Sequence, residues 1–129
     1  MQAETMVTLY QKRGSVNMAL SRSALMALKH LCYGELTVGK PILADVIQTA
    51  RRINQKPALL AGLTWRGCLH FFQTEYERAI ECESEARKLA SELRDGFLLL
   101  TSMFFLGLSL GNLGRMSEAL AKLSEAIRR

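Results

Sequence analysis

The sequence predicts an all-α protein built from antiparallel helix pairs, and three observations lead to this prediction. The 129 residues include only 2 prolines and 9 glycines, which leaves room for long uninterrupted helices. Aromatic residues make up 7% of the chain, and together with the β-branched residues they are too scattered for a many-stranded sheet. Apolar residues recur at steps of three and four, and the pattern repeats with a 40-residue period.

Length, composition and charge narrow the class of protein. A chain that is 49% hydrophobic and 22% charged is in the range of one compact domain, taken here as residues 1–129. The net charge of +5 attracts anions but falls short of the dense basic stripe of a dedicated nucleic-acid binder. Cys32, Cys68 and Cys82, odd in number and irregular in spacing, are typical of a reducing compartment. We therefore expect a cytoplasmic protein.

The 40-residue period is carried by small residues and turn residues that align without a gap. The aligned sets are Ala27, Gly67 and Gly107, then Gly34, Thr74 and Gly114, then Gly39, Ala79 and Ala119. This register defines three copies, residues 17–56, 57–96 and 97–129, of which the last is truncated. Residues 3–14 occupy the phase of the end of a helix from an earlier copy. The chain is thus expected to be part of a longer array or to cover its last copy by self-association.

Each copy is predicted to contain two helices. In the first copy, residues 24–33 have helical spacing, and Pro41 is placed in the first turn of the second helix, where its missing amide hydrogen costs nothing. In the third copy the link is residues 112–115, in which Gly114 suits the positive φ that ends a helix. The small residues Gly107 and Ala119 should let the two helices of that pair lie close together.

These residues resemble the tetratricopeptide repeat. In the third copy the resemblance is carried by Met103, Leu106, Gly107, Leu110, Gly114, Met116, Ala119, Leu123 and Ala126. In the second copy it is carried by Leu63, Gly67, Tyr76, Ala79 and Ala86. The second copy departs from the pattern at Arg66, His70 and Glu83, where apolar residues are usual. The first copy keeps only Ala27, Gly34, Leu36 and Leu43.

The resemblance implies a right-handed α-α superhelix, or solenoid, of about three repeats that are longer than the usual 34 residues. In that family the first helices of the pairs form a concave groove for a peptide or protein segment. By register, the groove would be lined by Leu28, Leu31, Thr64, Cys68, Phe71, Phe104, Leu108 and Asn112. This surface carries no charge, which favours an apolar peptide or an amphipathic helix as partner. A small-molecule substrate or cofactor is not expected.

The 40-residue repeat explains two features that could otherwise indicate a nucleotide site or a metal site. Residues 34–40, G-E-L-T-V-G-K, match a phosphate-binding loop until Pro41 replaces the required Ser or Thr, and no strand precedes them. His30 and His70 are separated by one 40-residue period and occupy the same slot of adjacent copies. Neither histidine belongs to a pattern such as CxxC or HExxH, so we expect no metal site.

Catalysis is not predicted either. Five glutamates cluster in the second copy, namely Glu75, Glu77, Glu81, Glu83 and Glu85. Paired carboxylates can perform acid and base chemistry, but Glu83 and Arg87 are four residues apart, the spacing of a surface ion pair. We interpret the cluster as a solvated helix face.

Three further alternatives concern the setting of the chain. Residues 97–114 carry no charge and approach the length of a membrane span, although a helix buried by its neighbours explains them as well and is preferred. A basic surface, with a pI near 9.4, would suit a helical repeat that binds RNA, but no column of polar base-reading side chains is visible. The chain could also be the partner-recruiting part of a larger signalling or regulatory protein.

Overall fold

A computed structural model describes residues 16–128, and this part of the chain consists of α-helices without strands. The helices are α1 (Val16–Cys32), α2 (Leu36–Arg52), α3 (Lys56–Phe72), α4 (Tyr76–Leu93), α5 (Gly96–Asn112) and α6 (Met116–Arg128). The predicted all-α class is therefore confirmed. The helix end expected at residues 3–14 lies outside the described residues.

The helix boundaries recur at 40-residue intervals. The first helices of the three pairs end at Cys32, Phe72 and Asn112, and the second helices begin at Leu36, Tyr76 and Met116. Links of three residues join the helices of each pair, and such short links produce antiparallel hairpins. The period found in the sequence is thus present in the helix ends.

A left-handed backbone conformation ends the helices at equivalent positions. Gly114 has a φ of 78°, its amide donates to the Gly111 carbonyl at 3.0 Å, and the Arg115 amide donates to the Leu110 carbonyl at 2.9 Å. This pair of hydrogen bonds satisfies carbonyls that the helix leaves free. The positive φ predicted for Gly114 is confirmed. Thr74, at the equivalent position of the preceding copy, adopts a φ of 62° although its side chain is β-branched.

The described part of the chain divides into two compact units, one up to Trp65 and one from Arg66 onward, with the division inside α3. In the first unit α1 packs on α2 around a cluster of buried side chains. The cluster consists of Leu20, Ala24, Ala27, Leu43, Val46, Ala50 and Ala58. Gly62 lies so close to α2 that a Cβ there would be 2.8 Å from Cγ1 of Ile47.

In the second unit α5 packs on both α4 and α6. Leu106, Leu110 and Ala119 form a buried cluster, and Ile80 of α4 packs against it. A Cβ at Gly107 would lie 2.7 Å from Cγ of Leu123, which is closer than real Cβ atoms approach. The prediction that a small residue at position 107 lets the two helices lie close together is confirmed.

The position predicted for Pro41 is wrong. The carbonyl of Glu35 already accepts from the Gly39 amide at 3.0 Å, so α2 begins at Leu36 and Pro41 lies in its second turn. A proline at this depth leaves the carbonyl four residues earlier, that of Thr37, without its helical donor. The helix begins early because the turn at Gly34, with a φ of 75°, reverses the chain within three residues.

Replacement of Thr74 by glycine tests the conformation of the helix end. Thr74→Gly should raise the free energy of unfolding by about 1 kcal/mol, because glycine adopts a positive φ without the steric cost of a Cβ. The measurement is urea denaturation followed by circular dichroism. Lys88→Gly is the control, since an exposed glycine inside α4 should lower the same free energy by about 1 kcal/mol. A Thr74→Gly protein that is less stable than the wild type would contradict the assignment.

Candidate binding site

An apolar hollow of about 680 Å³ lies between α5 and α6. Its lining side chains come from both helices and carry no charge. They are Leu100, Thr101, Phe104, Phe105, Leu108, Leu123, Ala126 and Ile127. Phe104 is 47% exposed and Ile127 is 85% exposed, although both are large apolar residues. A concave surface of this composition is typical of a binding site rather than of a solvated face.

The lining is largely apolar because α5 has no charged residue and carries large apolar side chains on more than one side. Met103, Leu106 and Leu110 are buried. Leu100 and Phe104 remain exposed on the other side of the helix. A helix of a soluble domain normally places polar residues on the side that faces water. In α5 that side is apolar as well.

Aromatic rings form one wall of the surface. Phe105 meets Phe71 and Phe72 at centroid distances of 5.5 and 5.9 Å, in edge-to-face geometry. Phe104 meets Phe105 at 5.6 Å, again edge to face. Such contacts prefer defined ring orientations, which restrict the rotamers of the rings. The wall is therefore organised before any partner binds.

The eight residues predicted for the groove fall into different environments. Phe104 and Leu108 line the hollow, and Phe71 lies beside it through its contact with Phe105. Asn112 is exposed, and its Nδ2 donates to the Leu108 carbonyl at 2.8 Å. Leu28 is half-buried in the first unit, and the side chain of Leu31 is outside the described part of the structure.

Thr64 and Cys68 are the two groove positions whose side chains are buried. The Thr64 hydroxyl donates to the Leu60 carbonyl at 2.8 Å, and the Cys68 thiol faces Glu83. In this structure neither side chain is accessible to a partner. Of the groove residues whose side chains the structure describes, Phe104 and Leu108 of α5 line the apolar hollow.

Sequence reasoning missed the contribution of α6 to the surface. Leu123, Ala126 and Ile127 line the hollow, whereas the predicted groove includes only the first helix of each pair. The signal was the pair of apolar residues at the end of α6, Leu123 and Ile127, which are four apart and share one helix face. Which of them would be covered depends on the neighbouring helices, and the sequence does not show this.

The most unusual side chain of the second unit is Glu83, which is 0% exposed. It packs on Gly67, where a Cβ would lie 2.5 Å from its Cδ. The Cys68 thiol donates to its Oε2 at 3.9 Å, and its Oε1 has no hydrogen-bond partner among the described residues. The prediction that Glu83 belongs to a solvated face and pairs with Arg87 is therefore wrong. Glu83 occupies the slot of Leu43 and Leu123, and that slot faces inward.

Burial determines the protonation states of Glu83 and Cys68. Loss of hydration raises the pKa of Glu83 to about 10, against a small opposing effect of the Cys68 hydrogen bond. Burial also raises the pKa of the Cys68 thiol, and the charge of Glu83 raises it further. At neutral pH both groups are therefore protonated. A buried neutral thiol of this kind is not an activated nucleophile.

The two histidines interact with glutamates at the helix ends. Nδ1 of His30 lies 3.2 Å from Glu35, and Nδ1 of His70 lies 3.3 Å from Glu75. Among the described residues, no group of three or more histidines, cysteines, aspartates and glutamates could hold a metal ion. Within residues 16–128 no helix combines the length and the apolar character that a membrane span requires.

Neither known protein families, nor curated proteins, nor solved structures gave a match to this chain.

Replacement of Glu83 by leucine should stabilise the protein. Leucine is the residue of the equivalent slots 43 and 123, and it removes the cost of burying a carboxyl group. At pH 7 the expected gain is about 3 kcal/mol, from the difference between the folded and unfolded pKa. Chemical denaturation measures it. Glu77→Leu, on the exposed side of the same helix, should change the free energy of unfolding by less than about 0.5 kcal/mol.

The pH dependence of stability provides an independent test. Because the folded pKa of Glu83 is about 10 and the ordinary value is 4.5, the folded chain holds one more proton between these limits. The free energy of unfolding of the wild type should therefore fall, relative to that of Glu83→Gln, as pH rises from 5 to 9. The slope should be about 1.4 kcal/mol per pH unit. Parallel curves for the two proteins would contradict the burial of the carboxyl group.

Proposed function

We propose that this chain is a non-catalytic protein-interaction scaffold that binds a helix or an apolar peptide segment in the hollow between α5 and α6. The observation that carries the proposal is the uncharged lining, in which Phe104 and Ile127 are exposed. Large apolar side chains on a concave surface lose little conformational freedom on binding and gain from leaving water. An amphipathic helix would present its apolar face to them.

The repeat assignment supports this function. Helix ends recur with the 40-residue period, and close helix contacts occur at Gly67 and Gly107. Both features agree with a long tetratricopeptide-type repeat stacked as a right-handed solenoid, and proteins of this architecture present extended binding surfaces. We propose a cytoplasmic setting on the basis of the odd number of cysteines.

The residues that line the hollow favour a peptide over RNA as the partner. Phosphate groups require Lys or Arg contacts, and the hollow contains neither. Single-stranded RNA can stack its bases on aromatic rings, but it also needs a basic groove that follows its backbone. The apolar surface and the net charge of +5 are therefore separate features of the chain.

A designed peptide tests the proposed function. The probe is a fluorescein-labelled 18-residue amphipathic helix with leucines on one face and no net charge. Its binding, followed by fluorescence anisotropy, should weaken at least tenfold in Phe104→Asp, because a charge replaces an exposed aromatic side chain of the lining. Leu120→Asp is the matched control, since Leu120 is exposed on α6 but does not line the hollow.

The salt dependence of the binding affinity distinguishes peptide binding from RNA binding. Affinity for the uncharged peptide should change less than threefold between 50 and 500 mM NaCl, because apolar burial is not screened. A labelled single-stranded RNA that binds more tightly than the peptide, and loses that affinity steeply between 50 and 200 mM NaCl, would instead support a nucleic-acid partner. Equal peptide binding by the wild type and Phe104→Asp would contradict the proposed site.

A further inference from the structure

Gly67, Cys68 and Glu83 form a closed contact between α3 and α4, which we call the carboxyl seam. Glu83 is 0% exposed and Cys68 is 7% exposed. A Cβ at Gly67 would lie 2.5 Å from Cδ of Glu83, so α3 leaves no room beside the carboxyl group. The Cys68 thiol donates to Oε2 at 3.9 Å, while Oε1 has no hydrogen-bond partner among the described residues. The carboxyl group and the thiol are therefore covered by the same contact.

The helices around the carboxyl seam offer no cation to an ionised Glu83. On α3 its hydrogen-bond partner is the neutral thiol of Cys68. Neither Arg66 of α3 nor Arg87 of α4 shifts the pKa of Glu83. Helix α5, which packs on α4, has no charged residue from Gly96 to Asn112. Because a buried carboxylate without a partner costs far more free energy than a buried carboxylic acid, the closed seam holds the protonated form.

The other titratable groups near this part of α4 do not change that conclusion. Burial raises the pKa of Cys82 to about 11, so this thiol is neutral at neutral pH and adds no charge. Glu81 and Glu85 lie on the same helix, and as acidic residues they can only repel a further negative charge. Ionisation of Glu83 is thus opposed from every side of the carboxyl seam.

Opening of the carboxyl seam therefore releases a proton. Burial raises the pKa of Glu83 to about 10, whereas the ordinary value is 4.5. Between these limits the closed seam holds one proton that the carboxyl group gives up when it reaches water. Each rise of one pH unit should therefore favour the open seam by a factor of about ten.

We propose that Glu83 is a proton-controlled gate over Cys68, and that the open seam makes this thiol a covalent modification site for small disulfides. In the closed seam the thiol is covered and protonated, and such a thiol is inert. When Glu83 ionises, α3 and α4 separate locally so that the carboxylate reaches water. Cys68 is exposed by the same movement, because its thiol is bonded to that carboxyl group. Local openings of this kind require less free energy than global unfolding.

The modification is a thiol–disulfide exchange at Sγ of Cys68. In the open seam the thiol loses its proton, and the thiolate attacks one sulfur of the small disulfide. A new S–S bond forms to Cys68 and the original S–S bond breaks. The second sulfur leaves with the electron pair and takes up a proton, so the products are a mixed disulfide and one free thiol.

The test is the rate at which Cys68 reacts with 2,2′-dipyridyl disulfide, an uncharged probe that releases one coloured thiopyridone for each thiol. Cys32→Ser and Cys82→Ser, introduced together, leave Cys68 as the remaining cysteine of the full chain. Between pH 6 and pH 8 the rate should rise about a hundredfold per pH unit. A factor of about ten comes from opening of the seam, and a second factor of about ten comes from the thiolate fraction of the exposed thiol.

Variants at position 83 remove the gate. In the same background, Glu83→Gln and Glu83→Leu have no ionisable group, so the rate should rise only about tenfold per pH unit. Two variants are compared because the amide of glutamine can itself disturb the packing. Glu77→Gln, at an exposed glutamate of the same helix, should keep the hundredfold dependence. A tenfold dependence with Glu83 present, or a hundredfold dependence in both variants, would overturn the proposal.

Comparison with global unfolding shows whether the opening is local. The rate in buffer, divided by the rate of the urea-unfolded chain at the same pH, gives the fraction of time for which Cys68 is exposed. This fraction should exceed the unfolded fraction, obtained from urea denaturation followed by circular dichroism, at least tenfold at every pH. Equal fractions would mean that Cys68 reacts only through global unfolding and would overturn the gate. A thiol that does not react at pH 8 would overturn it as well.

Discussion

The close approach of helices at positions 67 and 107 is the constraint on which the second unit depends. A Cβ at either position would lie within 2.8 Å of the side chain of the facing helix, Glu83 or Leu123. Glycine removes this conflict, and the helices then pack at a short distance with little space between them. The two contacts are separated by one period of the repeat, and Thr74 and Gly114, also one period apart, both have a positive φ.

One position of the 40-residue repeat is leucine in two copies and glutamate in the other. Position 43 is leucine, position 83 is glutamate and position 123 is leucine, and position 83 is fully buried. A carboxyl group fits the space of a leucine, but it must give up hydration, and it recovers only a long contact with the Cys68 thiol. The protein therefore keeps the geometry of the repeat at a cost in stability. Glu83 is fully buried, whereas Leu123 at the equivalent position lines the apolar hollow.

The character of α5 connects packing with function. A helix with 17 uncharged residues could lie in a membrane or in the interior of a protein, and its sequence alone does not distinguish these two locations. In the folded chain one side of α5 packs on α4 and another packs on α6, while Phe97, Leu100 and Phe104 remain exposed. The edge-to-face contacts of Phe105 with Phe71 and Phe72 hold the helix against α3. The exposed side is the part of the helix that the proposed partner would contact.

By itself the sequence determined the helical class, the 40-residue period, the turn at Gly114 and the close contact at Gly107, because each depends on local propensity or on the size of one residue. Only the tertiary structure decided that Glu83 is buried, that Thr64 and Cys68 are covered, and that Leu123 and Ile127 complete a hollow with Phe104. The register identifies equivalent positions but not their exposure. Exposure depends on which helix packs on a given pair, and that contact joins residues far apart in the chain.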